Sequence, residues 1–287
     1  MDFHHSSGRS EHFRAIVFLI FTAILWSTGG MLVKSVDWHP LAIAGARSGI
    51  AAVVIWAAFH KSPLTFNRSQ LTGALAYTAT VILFVAATKL TTAANAILLQ
   101  YTAPVWVAIL GAWLLKEKAT LQDWVTIAVV LGGMVLFFLD KVSAGGTLGN
   151  IMAVASGFTL ALMAVSMRRQ KEGSPFGSIL LGNVLTFLIG LPVILTSSPA
   201  PGGWTGLILL GVFQLGLSYV LYSVAIKHVK ALEATIITVI EPILNPLWVF
   251  LLLGEVPGPW ALIGGLVILA ALTGRYVWPA LRSGQES

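Results

Sequence analysis

Glu241 is the residue in this chain with the most chemical potential. It lies deep in an apolar run that begins near Leu232. An ionised carboxylate at that depth of a bilayer costs about 2.5 to 3.5 kcal/mol on insertion scales, so the side chain must face the interior of a helix bundle. Pro242 and Pro246 follow it and remove two backbone donors. The run is therefore predicted to kink or unwind there and leave carbonyls free to line a cavity. Asn245 and Trp248 share the face of Glu241 at helical spacing. One reading makes Glu241 a counter-ion for a substrate ammonium group or a proton carrier; the other makes it a structural acid bonded to a neighbouring helix.

Arg47 sits in Gly45-Ala46-Arg47-Ser48-Gly49, whose glycine spacing admits a close neighbouring backbone. A guanidinium cannot shed its charge, so it needs a carboxylate, carbonyls or a wet cavity. It is a possible charge partner for a substrate carboxylate, or it pairs structurally or snorkels to the nearby outer interface. Gln214, Ser218 and Tyr222 recur every four residues, with Gly211 beneath, and form a polar stripe that must face protein or water. Tyr77, Thr80, Phe84 and Thr88 form a similar stripe, and Asn95, Thr102 and Trp106 a third. Trp38, Trp113, Trp124, Trp204, Trp260 and Trp278 fall near the ends of apolar runs, as interfacial belts do. Tyr77, Tyr101, Trp106, Tyr222 and Trp248 lie deeper, where rings either pack or stack on a substrate.

The elements that carry these residues follow from composition. Of 287 residues, 57% are hydrophobic and only 10% charged, against roughly 25% charged in a soluble domain. The apolar residues gather in runs of about twenty, the length of a bilayer-crossing helix, without the alternation of a β-barrel. Ten spans are expected, beginning near Ala15, Pro40, Gln70, Ala93, Asp123, Thr147, Pro175, Trp204, Leu232 and Pro259. The loops between them are too short for an extramembrane domain. The polar stretch 1–14 leads into the first run without a small-residue cleavage site, so that run is expected to be a span and not a removable signal. With the N-terminus inside, thirteen Lys and Arg residues fall on the inner side, and only Lys34, Lys89 and Lys141 on the outer side. That bias predicts two cytoplasmic termini.

Several chemistries are excluded. There is no cysteine, and the six histidines fall in the tail or loops, so no metal site is expected. The chain has no phosphate-binding loop, no Gly-x-Ser-x-Gly and no His-Glu-x-x-His. It is not expected to be an enzyme or to need a cofactor. A net charge of +6 is spread over the loops, which argues against nucleic acid as a partner.

An internal repeat completes the pattern. At an offset of 138, Ala93, Ala96, Pro104, Leu114, Leu115 and Glu117 meet Ala231, Ala234, Pro242, Leu252, Leu253 and Glu255. A unit of five spans is odd-numbered, so its second copy enters from the opposite side, the inverted-repeat arrangement of secondary transporters. The ten spans, the Arg early in span 2 and the Leu-Leu-Gly-Glu end of span 9, echoed at Leu114 to Glu117, resemble the drug/metabolite transporter superfamily, EamA type. The whole chain looks most like its bacterial inner-membrane aromatic amino acid exporters.

That resemblance implies an all-α integral membrane fold: ten transmembrane helices as two inverted five-helix repeats around a central cavity lined by spans 3, 4, 8 and 9. The expected divisions are a tail 1–14, repeats 15–141 and 142–279, and a tail 280–287. The candidate substrate-binding residues are Tyr77, Thr80, Tyr101, Trp106, Gln214, Ser218, Tyr222, Glu241, Asn245 and Trp248, with Arg47 as the possible charge partner. The implied function is alternating-access export or facilitated transport of aromatic amino acids and related metabolites. The partners expected are the amino acid and the lipid bilayer, with no ATPase subunit, and the chain acting as a monomer. The alternative is a proton-coupled exporter of lipophilic drugs or cations. Span 9 carries Glu241 where span 4 has Ala103, so the halves cannot contribute symmetrically.

Overall fold

A computed structural model describes residues 3–62, 64–139, 146–244, 248 and 258–277 of the chain. Every regular element among them is helical. Eight stretches are long and apolar enough to cross a bilayer: Ser10–Ser35, Pro40–Phe59, Arg68–Leu90, Asn95–Leu115, Leu121–Phe138, Thr147–Arg168, Pro175–Thr196 and Gly203–Ala225. They are numbered spans 1 to 8. A shorter apolar helix, Pro259–Arg275, follows at the expected place of span 10.

The ninth expected span is not a single helix. Residues Ala231–Ile237 are helical, the chain turns at Thr238 and Val239, and helix resumes over 240–244. Asn245, Pro246 and Leu252 to Glu255 lie outside the described residues, as do Lys141, Trp278 and the expected boundaries at 141–142 and 279–280. Span 4 is also interrupted, with helices Ala93–Gln100 and Ala103–Leu114 separated by a turn at Tyr101 and Thr102.

The helix starts follow from local chemistry. Pro40, Pro175 and Pro259 open their helices, where a missing N–H removes no intrahelical bond. The Asn67 and Thr92 side chains accept from the N–H groups of Gln70 and Asn95, and Thr120 with Asp123 forms a reciprocal capping box. The outer faces remain apolar, with Val53, Leu75, Trp113 and Leu195 exposed, as lipid contact requires. This is a multi-pass membrane protein.

Glycines bring neighbouring helices into close contact at several places. A Cβ on Gly45 would stand 2.9 Å from the Gly190 Cα, so spans 2 and 7 touch backbone to backbone. A Cβ on Gly264 would stand 2.5 Å from the Gly133 carbonyl oxygen, which brings the Pro259–Arg275 helix equally close to span 5.

The two ends of the bundle differ. At the end rich in Lys and Arg, four ion pairs join residues before 140 to residues after 146. These are Glu117 with Arg168 at 3.0 Å, Asp123 with Arg275 at 2.8 Å, His12 with Glu233 at 3.1 Å and Glu11 with His228 at 3.3 Å, the histidine pairs being ionic only when the ring is protonated. Arg168 also donates to the carbonyls of Ile226 and Lys227. Neutral contacts join the same parts at the opposite end: the Trp38 indole N–H donates to the Ser197 hydroxyl, and Thr91 to Asn150.

Candidate functional site

Both helix interruptions have the same cause. A proline cannot donate to the carbonyl four residues before it, so Pro104 releases Gln100 and Pro242 releases Thr238. Near the first release point span 6 approaches closely through Gly157, where a Cβ would stand 2.6 Å from the Gln100 carbonyl oxygen. At the second, the Thr238 carbonyl, left without its donor four residues on, accepts from the Glu241 N–H at 3.0 Å and from the Tyr101 hydroxyl at 2.8 Å. Tyr101 is itself the turn residue of span 4, so the two interruptions touch. Its hydroxyl also lies 2.5 Å from a carboxyl oxygen of Glu241.

Beside this junction is a cavity of about 50 Å³ lined by Trp26, Arg47, Thr80, Val81, Phe84, Gln100, Leu160, Gln214, Leu215, Tyr219 and Glu241. That volume holds on the order of four water molecules. An aromatic amino acid therefore needs the walls to part. Spans 1, 2, 3, 4, 6 and 8 and the 240–244 helix all contribute to it.

Arg47 is carried there by span 2 and is only 2% exposed. The snorkelling alternative is thus not the arrangement found. One guanidinium Nη donates to the Gln214 side-chain oxygen at 3.2 Å, and the buried Nε has no hydrogen-bond partner among the described residues. Gln214 reaches Arg47 because Gly211 lets span 8 close on span 2: a Cβ there would stand 2.5 Å from Ile50 Cβ and 3.0 Å from the Arg47 carbonyl oxygen. Span 8 is π-helical over Leu210–Leu217, a wide-turn geometry frequent at functional sites.

Arg47 and Glu241 thus line one cavity without pairing. Among the described residues no ion pair within 4 Å includes either of them. A permanent cation and a carboxyl group facing a small cavity in a low-dielectric interior form a polarised site for a polar solute.

Of the residues singled out from sequence, Thr80, Phe84, Gln214, Glu241 and Arg47 line the cavity. Tyr101 touches it only through Glu241. Ser218 is turned to span 1, where its oxygen accepts from the Trp26 indole N–H at 2.9 Å. Tyr222 lies behind Trp26 at a ring distance of 5.5 Å. Tyr77 is fully buried and donates to the Asn183 side chain at 2.9 Å. Trp106 faces away, edge-on to Phe158 at 5.6 Å. The Trp248 indole N–H donates to Ser27 on span 1. Asn245 lies outside the described residues.

Six lining residues escaped the sequence reading, of which Val81, Leu160 and Leu215 are plain apolar positions. Gln100 carried a usable signal, since it is polar, deep in an apolar span and four residues before Pro104. Trp26 and Tyr219, whose rings are 5.1 Å apart, had only their depth to mark them.

A multi-pass helical bundle with a charged internal cavity at the junction of two interrupted helices has the build of a solute transporter. The chain belongs to the EamA-like transporter family, which matches residues 13–139 and again 147–275. An uncharacterized transporter of Archaeoglobus fulgidus is 29% identical over 255 residues, covering 88% of this chain and 93% of that protein. An uncharacterized transporter of Clostridium kluyveri is 27% identical, covering 84% and 86%. The pseudopaline exporter CntI of Pseudomonas aeruginosa is 26% identical over 186 residues, 62% of this chain and 64% of that protein. A solved crystal structure superimposes with a TM-score of 0.76 at 18% identity, over 90% of this chain and 96% of the other. That likeness is one of fold.

Proposed function

We propose that this transporter exports aromatic amino acids and related metabolites by alternating access about the Arg47 and Glu241 cavity. The observation that carries the reading is the cavity wall, where the rings of Trp26, Tyr219 and Phe84 stand beside polar Thr80, Gln100 and Gln214. Such walls suit a solute with one flat apolar end and one polar end. The name of the Pseudomonas relative adds support for the outward direction.

The working architecture is ten helices in two inverted halves, 15–141 and 142–279. Three observations support it: the family matches twice in succession, the proline-linked interruptions recur at matching positions, and the expected symmetry mates pack through glycine, span 2 on span 7 and span 5 on Pro259–Arg275. The Lys and Arg bias supports cytoplasmic termini in a bacterial inner membrane. Two complete halves in one chain support a monomer that needs no ATPase subunit.

The second reading, a proton-coupled exporter of lipophilic cations, is favoured by the single acid among aromatic walls. Counterflow in liposomes holding only the purified chain separates the two. Vesicles loaded with unlabelled phenylalanine are exposed to a trace of labelled phenylalanine without an ion gradient. Accumulation of label that tryptophan suppresses supports the amino acid reading. No accumulation by folded protein removes it and puts the cation exporter first.

A further inference from the structure

We infer that the cavity is a two-pole site that recognises the α-amino acid zwitterion as such: the carboxylate binds at Arg47 and Gln214, and the ammonium at Glu241. This rests on the amino acid reading above and names the part of the substrate that is selected. Span 2 buries a permanent cation whose Nε has no partner, with Gln214 holding only one of its terminal nitrogens. The 240–244 helix brings a carboxyl to the same cavity, with one oxygen near Tyr101. The titratable and charged groups around the cavity are Arg47 from span 2, Tyr219 from span 8 and Glu241, with Tyr77 and Tyr101 behind them.

Opposite charges in a poorly hydrated space attract strongly, yet these two do not meet. A solute carrying both charges, in reversed order, satisfies each pole at once. A solute with a single charge satisfies one pole and leaves the other buried without a partner. Sites of that kind discriminate strongly, because the penalty falls on the unpaired group. Lipophilic cations and simple carboxylates are thereby rejected, and the side chain is read only by the rings of Trp26, Tyr219 and Phe84. The present volume of about 50 Å³ has room for only a few waters, so the poles must move apart to admit the solute.

The test uses the full chain in the liposome assay with a competitor panel. Phenylalanine is compared with phenylalaninamide, which lacks the carboxylate, with N-acetylphenylalanine, which lacks the ammonium, and with tetraphenylphosphonium. The expected result is half-suppression by each single-charge compound only at concentrations at least about tenfold higher than for phenylalanine. Arg47→Gln should weaken phenylalanine and leave phenylalaninamide nearly unchanged, bringing their ratio toward one; the wild-type panel decides the matter alone if that variant fails to fold. Counterflow of phenylalanine with equal suppression by the amide overturns the two-pole site and leaves the amino acid reading standing. Transport of tetraphenylphosphonium without phenylalanine counterflow overturns both.

Discussion

The interruptions in spans 4 and 9 are built alike and equipped differently. Each has a helix of seven or eight residues, a two-residue turn and a proline that frees a carbonyl four positions back. In span 4 Gly157 packs against the freed carbonyl, and the residue before Pro104 is Ala103. In span 9 the Thr238 carbonyl holds the Tyr101 hydroxyl as well as the Glu241 N–H, and the residue before Pro242 is Glu241. The backbone thus provides two equivalent openings, and side chains make one a packing surface and the other a polar surface. Repetition supplies the gap; departure from repetition supplies the chemistry.

Substitutions in the two interruptions should have unequal effects. Glu241→Ala is expected to yield folded protein with counterflow reduced more than about thirtyfold, equivalent to about 2 kcal/mol. Unaltered flux would make the two interruptions functionally equal. Gly157→Ala should lower stability by about 2 kcal/mol, because its Cβ would press on the backbone at Gln100 and not on a yielding side chain. Its control is Gly132→Ala, where a Cβ meets nothing within 4 Å and the thermal midpoint should stay within error. Tyr101→Phe should destabilise the protein by about 1 kcal/mol, since it removes the donor shared by Thr238 and Glu241; the thermal midpoint in detergent measures this. Pro242→Ala should slow counterflow a few-fold by restoring a donor to Thr238, with Pro104→Ala having the smaller effect. The reverse order would mean that span 4, not span 9, carries the working interruption.

The sequence made the helix ends legible because they rest on local chemistry. Pro40, Thr147, Pro175 and Pro259 begin helices where expected, and Ala231 opens its helix one residue before the expected Leu232. The interruption near Pro242 followed from a lost donor, and its partner near Pro104 was open to the same argument. Which side chains meet across helices was less legible. Gln214, Ser218 and Tyr222 fall on one face only if every residue turns by about 100°, and the π-helical Leu210–Leu217 turns less. Gln214 therefore reaches the cavity, Ser218 reaches Trp26 and Tyr222 packs behind it. Trp106 was expected among the substrate contacts from its depth and its place on a stripe of span 4, and neither says which way a ring points across a helix interrupted at Tyr101 and Thr102.

The ion pairs between the early and late parts of the chain have a further consequence. An apolar seam that parts exposes hydrocarbon to water at about 25 cal/mol per Å², with nothing in return. A seam of partly exposed ion pairs parts into hydrated ions, and exposed pairs are worth only about 0 to 1 kcal/mol each. Glu11 with His228, 56% and 35% exposed, is of that kind at the Lys- and Arg-rich end, whereas Arg168 and Glu117 are largely covered and Arg168 is held by two carbonyls as well. Dissolved salt should loosen that end while leaving the hydrogen-bonded Trp38 and Ser197 end nearly indifferent.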